Sequence, residues 1–471
     1  MPREGIVRNS TKFLIAVCLG ACVPTAIWAG PVADGIAAHE RGDDVEAVRL
    51  FRVAVQQGDA YGQNNLALMY ENGFGAAKDS SEAIRLYRLS AAQGNAAGQN
   101  GLGTMYKDGE GVAKDDAEAM RWFRLAAAQG LKEAQYDIGL MYRSGLGVAK
   151  DDTEALRWFR LAAAQGDAEA QYNLGVMYVD GAGVPKAYAE AQRWYRLAAA
   201  QNYAAAQYNL GTMYEHGQGV TEDKVEAARW YRLAAAQGRV EAQYNLGVMS
   251  ENGEGVSKDL TESLRWYRLA AAQGYASAQL NLGTMYYLGQ GITQDKAEAL
   301  RLFRLSAEQG NANAEDDLGT LYENGDGVTK DYAAALHWYR LSAAQGFTGG
   351  QISLGGMYSE GSGVAEDDAE ALRWYRLAAA QGDNHAQDEI AYAYETGQGV
   401  AKDYAEAQRW YRLAAAQNNA AAQNHLGTMF ETGEGVAPDV TEALRWYRLA
   451  AKGGSAKAAK SVERLTQTPG K

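Results

Sequence analysis

Cysteine is nearly missing from this chain. Among 471 residues there are two, Cys18 and Cys22, both close to the start. The body of the chain therefore carries no disulfide, no thiolate nucleophile and no cysteine-ligated metal site. Histidine is scarce as well: His39, His216, His337, His385 and His425 fall at unrelated places. In the sequence they form no His-x-x-x-His or glutamate-linked pair, which argues against metal ligation. The Gly-x-Ser-x-Gly elbow of a serine hydrolase is also missing. Nothing here calls for a cofactor, a metal or a catalytic residue, and a small-molecule ligand is not expected. Cations are outnumbered, 45 Lys and Arg against 58 Asp and Glu, for a formal charge of −13. Nucleic acid and anionic membrane surfaces both need a basic footprint, so both are poor partners. The acidity keeps a long, open protein soluble.

Residues 1–29 read as a secretory signal. Arg3, Arg8 and Lys12 make a basic start, Phe13 to Val23 is an apolar run, and Ala26-Ile-Trp-Ala29 offers a cleavage site after Ala29. The run is too short to span a bilayer, and no other apolar stretch approaches the roughly 18 residues a span requires. A lipoprotein anchored at Cys22, in Leu19-Gly-Ala-Cys22, is the runner-up; Val23-Pro24 and the better site at Ala29 count against it. The expected location is periplasmic or fully secreted. Removing the segment takes away three cations and one acid, which leaves about −15.

What the chain does have is repetition. Gly58, Gly94, Gly130, Gly166, Asn202, Gly238, Gly274, Gly310, Gly346, Gly382, Asn418 and Gly454 each lie 36 residues after the last. Eleven full repeats therefore run over 59–454 with no insertion or deletion, and a fixed period of this size means a stacked array. Residues 30–58 form a shorter helical hairpin with an apolar face of Ala47, Leu50, Phe51 and Ala54, read as an N-terminal cap. Residues 455–471 carry Ala456, Ala459, Val462 and Leu465 on one face and read as a C-terminal capping helix and tail, with a basic interaction tail as the alternative.

One repeat shows the physics. Ala170, Leu174, Met177 and Tyr178 recur at helical spacing and predict a first helix over about 168–179. Gly175 sits in its middle, where glycine costs about 1 kcal/mol relative to alanine. Gly or Ala holds that place in every repeat, which predicts close approach by a neighbour. Gly181-x-Gly183 then reads as a helix C-cap and a chain reversal rather than a phosphate cradle, because no strand precedes it. The second helix opens on Asp-x-x-Glu, as at Asp115, Asp151, Asp259 and Asp403. The pattern predicts an N-cap carboxylate and a glutamate reaching back, repeated too often to be a catalytic pair. Arg-Trp-Tyr/Phe-Arg-Leu-Ala-Ala follows, with Ala191, Trp194, Tyr195 and Ala198 as the buried stripe and the arginines on a solvated face.

Ala-x-Ala-Gln-Tyr-Asn-Leu-Gly-x-Met-Tyr, Gly-x-Gly-Val-x-Lys-Asp and Ala-x-Arg-Trp-Tyr-Arg-Leu-Ala-Ala resemble the Sel-one-like repeat (SLR) family, a branch of the tetratricopeptide-repeat superfamily. The resemblance spans residues 59–454. It implies an all-α fold, a right-handed α/α solenoid of helix-turn-helix repeats, that serves as a non-enzymatic scaffold or adaptor for a protein or peptide. It also implies roles such as envelope signalling or host contact. A cysteine-rich subgroup linked to β-lactam binding supplies the alternative, a cell-wall or β-lactam binding or hydrolysing protein, but its cysteines are not in this chain.

A partner would meet the places that packing leaves over. These are the third, sixth, tenth, thirteenth and fourteenth of each repeat, which match the concave groove of tetratricopeptide repeats. They also vary most between copies. The candidates are Glu133, Tyr136, Leu140 and Arg143; Glu169, Tyr172, Val176 and Val179; Tyr208, Thr212 and Glu215; Tyr244, Val248 and Glu251; and Thr284 and Tyr287. Tyr136, Tyr172, Tyr208, Tyr244 and Tyr287 would form an aromatic middle suited to a peptide contact. The alternative is that these tyrosines pack between adjacent first helices. Ser250, Ala393 and Phe347-Thr-Gly-Gly350 break the pattern and read either as bends or as drift. Calcium at Asn324-Gly-Asp326 lacks the ligand pattern of a loop site.

Overall fold

The structure, a computed structural model, describes residues 30–467; the signal segment read above and the last four residues lie outside the described residues. The described residues form 25 helices and no strand. The chain divides into two compact bodies, one ending at Arg239 and the other beginning at Val240.

The first body opens with Pro31–Glu40 and Asp44–Gln56, followed by five helix pairs from Ala60–Asn72 with Ser80–Ala92 to Ala204–Glu215 with Lys224–Ala236. The second holds six pairs, from Val240–Asn252 with Leu260–Ala272 to Ala420–Thr432 with Val440–Lys452. It ends in Ala456–Gln467, which seats Ala458, Val462 and Leu465 on the last pair. Within each body a helix packs chiefly on its neighbours in sequence, and each body is an α/α solenoid of helix pairs. No helix among the described residues is long and apolar enough to cross a membrane.

The repeat whose glycines and stripes are traced above forms Ala168–Asp180 and Tyr188–Ala200. Ala170, Leu174 and Met177 are fully buried, as are Ala191 and Ala198. The mid-helix glycine has its reason in an aromatic ring: a Cβ on Gly175 would lie 2.4 Å from Tyr195 of the second helix. Gly181 ends the first helix in the left-handed region at φ 77°. Gly183 does more than reverse the chain. A Cβ there would meet the Asp152 carbonyl oxygen at 2.4 Å, so the loop rests on the first turn of the preceding second helix.

The tryptophans pack on the preceding repeat as well as on their own. Trp194 packs against the cluster built from Tyr136, Phe159 and Leu174. The indole N–H groups of Trp122, Trp158, Trp194, Trp230, Trp374 and Trp446 are buried without a protein acceptor, so their contribution is contact area. The preceding arginine covers the outer ring face, as Arg265 does over Trp266 at 4.9 Å.

The aspartates cap as expected. Asp115 accepts from the backbone N–H groups of Ala117 and Glu118, both at 3.0 Å, and Asp151, Asp259 and Asp403 do the same in their repeats. The glutamates are engaged elsewhere. The backbone N–H of Asp115 donates to the Tyr106 carbonyl, so the group a returning carboxylate would seek is already taken. Glu118 pairs instead with Arg121, one turn on, at 2.9 Å.

The second arginine of the motif is not simply solvated. In most repeats it donates to the tyrosine hydroxyl ending the next repeat's first-helix stripe: Arg88 to Tyr106 at 3.2 Å, Arg160 to Tyr178 at 2.8 Å, Arg304 to Tyr322 at 2.7 Å. A second tie lies inside the repeat. Gln201 donates to Gln171 at 2.9 Å and Gln273 to Gln243 at 2.7 Å, joining the start of the first helix to the end of the second. Periodicity of apolar residues carries no sign of these polar ties; recurrence of Gln at the fifth and thirty-fifth places does.

A candidate partner-binding face

The first helices hold the candidate residues, but packing claims several of them. Tyr136 is 1% exposed, with its ring 5.7 Å from Phe159, and Glu133 is buried beside it, so neither offers surface. The other sixth-place tyrosines are half-buried. Tyr172 stands 5.8 Å from Tyr195 and 5.2 Å from Tyr203. Tyr208 lies 5.6 Å from Tyr231 with the Arg239 guanidinium over its ring. Tyr244 lies 5.9 Å from Tyr267 and 5.2 Å from Tyr275. The packing partners are thus the repeat's own second helix and the opening residue of the next repeat. Tyr203 and Tyr275 give up the N-cap role that Asp59, Asn95 and Asp167 perform, and cover the preceding tyrosine instead.

The thirteenth place follows a rule set by the second helix. Six repeats have Glu there and Tyr sixteen residues on, and in each the hydroxyl donates to the carboxylate. Glu215 and Glu251 are held in this way by Tyr231 and Tyr267. Burial, with the carboxylate bond added, holds the Tyr267 hydroxyl well above the usual tyrosine range. Where the second helix has Phe, no hydroxyl is present and the thirteenth residue turns to the next repeat. Lys107 lies 3.6 Å from Asp137, Arg143 donates to Asn173 at 2.6 Å, and Tyr287 donates to Asp326 at 2.7 Å. Asp326 also takes Lys296 at 2.9 Å, which engages the carboxylate weighed above for calcium.

Val176, Val179, Leu140, Thr212, Val248 and Thr284 remain half-buried on the same helices. The exposed large apolar side chains of the first helices are Tyr61, Leu288 and Tyr392, at 40%, 52% and 42%. All three occupy the third, fourteenth or tenth place. In the second body two cavities open on this face, in the two repeats where the tyrosine–glutamate bond is missing. One, of about 240 Å³, lies among Thr284, Tyr287, Leu288, Phe303, Asp317 and Thr320. The other, of about 110 Å³, lies by Ser359, Tyr375, Glu389 and Tyr392, and Ala393 lines it where most other repeats have Met. The irregular start at Phe347 still forms the helix Thr348–Glu360, without a side-chain cap.

Histidines do find glutamates in space. His425 stacks on Tyr411 with ring centroids 4.9 Å apart and sits 3.5 Å from Glu395, and His385 lies 3.8 Å from Glu389. The sequence concealed the first pair because its members belong to successive repeats. Among the described residues no group of three or more His, Cys, Asp or Glu is placed to hold a metal ion.

Two solved structures are similar over most of their length. A protective antigen of uropathogenic Escherichia coli with an SLR fold shares 35% identity, with 89% of this chain and 93% of that one covered and a TM-score of 0.79. A Sel1 repeat protein from Oxalobacter formigenes shares 35% identity over 66% of this chain and 90% of that one, with a TM-score of 0.52. Comparison with curated proteins gives no match. The Sel1 repeat model matches twelve successive segments, from 33–59, on the hairpin read above as a cap, through 60–95 and onward to 420–455. With this match and the helix-pair architecture behind it, the chain belongs to the Sel1 repeat family.

Proposed function

We propose that the chain is an exported, non-enzymatic scaffold that holds a protein or peptide partner along the exposed face of its first helices. One observation carries the reading. The large apolar side chains that first helices leave exposed, Tyr61, Leu288 and Tyr392, fall only on the places that vary between repeats. Packing places repeat because each meets the same neighbour. Apolar residues kept in water at varying places, in each of the two bodies, fit surfaces for partner contact. The likeness to a protective antigen of a pathogenic strain supports an exported role in envelope or host contact.

The test uses the full chain as bait in the native envelope. The triple variant Tyr61→Ser, Leu288→Ser, Tyr392→Ser should lose the captured protein while melting as wild type does, since these side chains are exposed. Capture that survives the triple variant would overturn the face. Fractionation that finds the chain in the cytosol with residues 1–29 intact would overturn export. Turnover of a chromogenic β-lactam would overturn the non-enzymatic reading.

A further inference from the structure

We propose that the larger cavity of the second body seats an arginine side chain of a bound basic peptide segment. The inference rests on the scaffold reading and names the chemistry of the partner. The cavity lies in a repeat where Phe303 stands in place of the usual tyrosine, so no hydroxyl there reaches across to a glutamate. Tyr287 takes the glutamate's place and sends its hydroxyl to Asp326 instead. What remains is a slot of about 240 Å³ with Leu288, Phe303 and Thr284 on its walls and Asp317 among its lining. A drug-sized ligand needs roughly 300 Å³ or more, so the slot suits one side chain.

Its charge is negative and uncompensated. Among the described residues Asp317 has no hydrogen-bond donor and no cation beside it, whereas neighbouring Asp316 accepts from Ser353 at 3.0 Å. The nearby cation, Lys296, is held by Asp326 at 2.9 Å. The first helices of the second body carry further carboxylates at Glu251 and Glu323, each accepting from a tyrosine hydroxyl rather than paired with a cation. Burial pushes the Asp317 carboxyl up to about 6, and Asp316 adds to the shift. A carboxylate kept in such a place lacks a counter-charge, and an incoming cation supplies one. Among the described residues no cluster of ligands joins Asp317 to make a metal site, and an anion is repelled. A guanidinium matches the carboxylate in a planar two-point contact and lies favourably against aromatic rings, while its aliphatic stem follows Leu288.

The experiment titrates the full chain with N-acetyl-arginine methylamide, and with the norleucine and glutamate analogues, by saturation-transfer NMR. The arginine compound should bind at least tenfold more tightly than either analogue. Asp317→Asn, which keeps the shape, should abolish that preference, and Thr284→Phe, which fills the slot, should abolish binding. Equal binding of the three compounds, or a preference that survives Asp317→Asn in a folded chain, would overturn the inference. If the arginine preference fails while the exposed-face variant still loses its partner, the scaffold reading stands alone. If partner capture survives the exposed-face variant as well, both fall.

Discussion

Tyr339 and Glu323 show how far a single pair of residues decides what a repeat displays. The hydroxyl donates to the carboxylate at 2.7 Å, and that bond ties the two helices of the pair together. Phe303 differs from Tyr339 by one oxygen, and its repeat has the cavity. The rule was present in the sequence as a correlation between places sixteen residues apart, but variation at the thirteenth place looked like freedom because each member was read alone. Asp317 gives this scale its own prediction. Burial, with Asp316 adding to it, raises its folded pKa to about 6, above the ordinary aspartate value, so the protonated form is favoured by folding. That contribution is complete below about pH 4 and is lost as pH rises through 6. Asp317→Asn should therefore raise stability at pH 7 by about 1–3 kcal/mol and change little at pH 4. Urea midpoints at the two values check it; equal shifts at both would refute the assignment. Loss of arginine binding in a more stable variant could not be blamed on unfolding.

At the scale of the helix, start and stop signals were legible because they are local. Asp at the N-cap and Gly at the C-cap satisfy the orphan backbone groups of one helix end without help from anything distant. The reciprocal half of the capping box was not legible, since its N–H group is consumed by a carbonyl of the preceding helix. Ala187 offers a check. It occupies the N-cap of Tyr188–Ala200 at φ −152°, ψ 90°, with no side chain to accept. Asp115 and Asp151 cap their helices from nearly the same backbone conformation. Ala187→Asp should stabilise the repeat by about 1 kcal/mol, seen as a higher urea midpoint and slower amide exchange at residues 189 and 190. No change in either would show that the end is already satisfied by other means.

Over the whole molecule, stability is a sum of repeats and of ties between neighbours. The arginine-to-tyrosine bond is one such tie, and Phe430 omits it opposite Arg412, where most other repeats have the tyrosine hydroxyl. Phe430→Tyr should add about 0.5–1 kcal/mol, because the donor is charged but exposed. The gain should appear as slower hydrogen exchange in residues 420–467 and not near the N-terminal repeats. A uniform change along the chain would contradict nearest-neighbour coupling. Sequence alone determined the all-α class, the 36-residue period, the caps and the buried stripes, since each follows from spacing within one repeat. Only tertiary structure decided which variable places are free. Tyr136 is packed against Phe159, Glu251 is bonded to Tyr267, and Leu288 and Asp317 face an opening. The reason is physical: a side chain's exposure depends on residues 16 to 40 positions away that the fold brings alongside, and spacing within a helix carries no record of them.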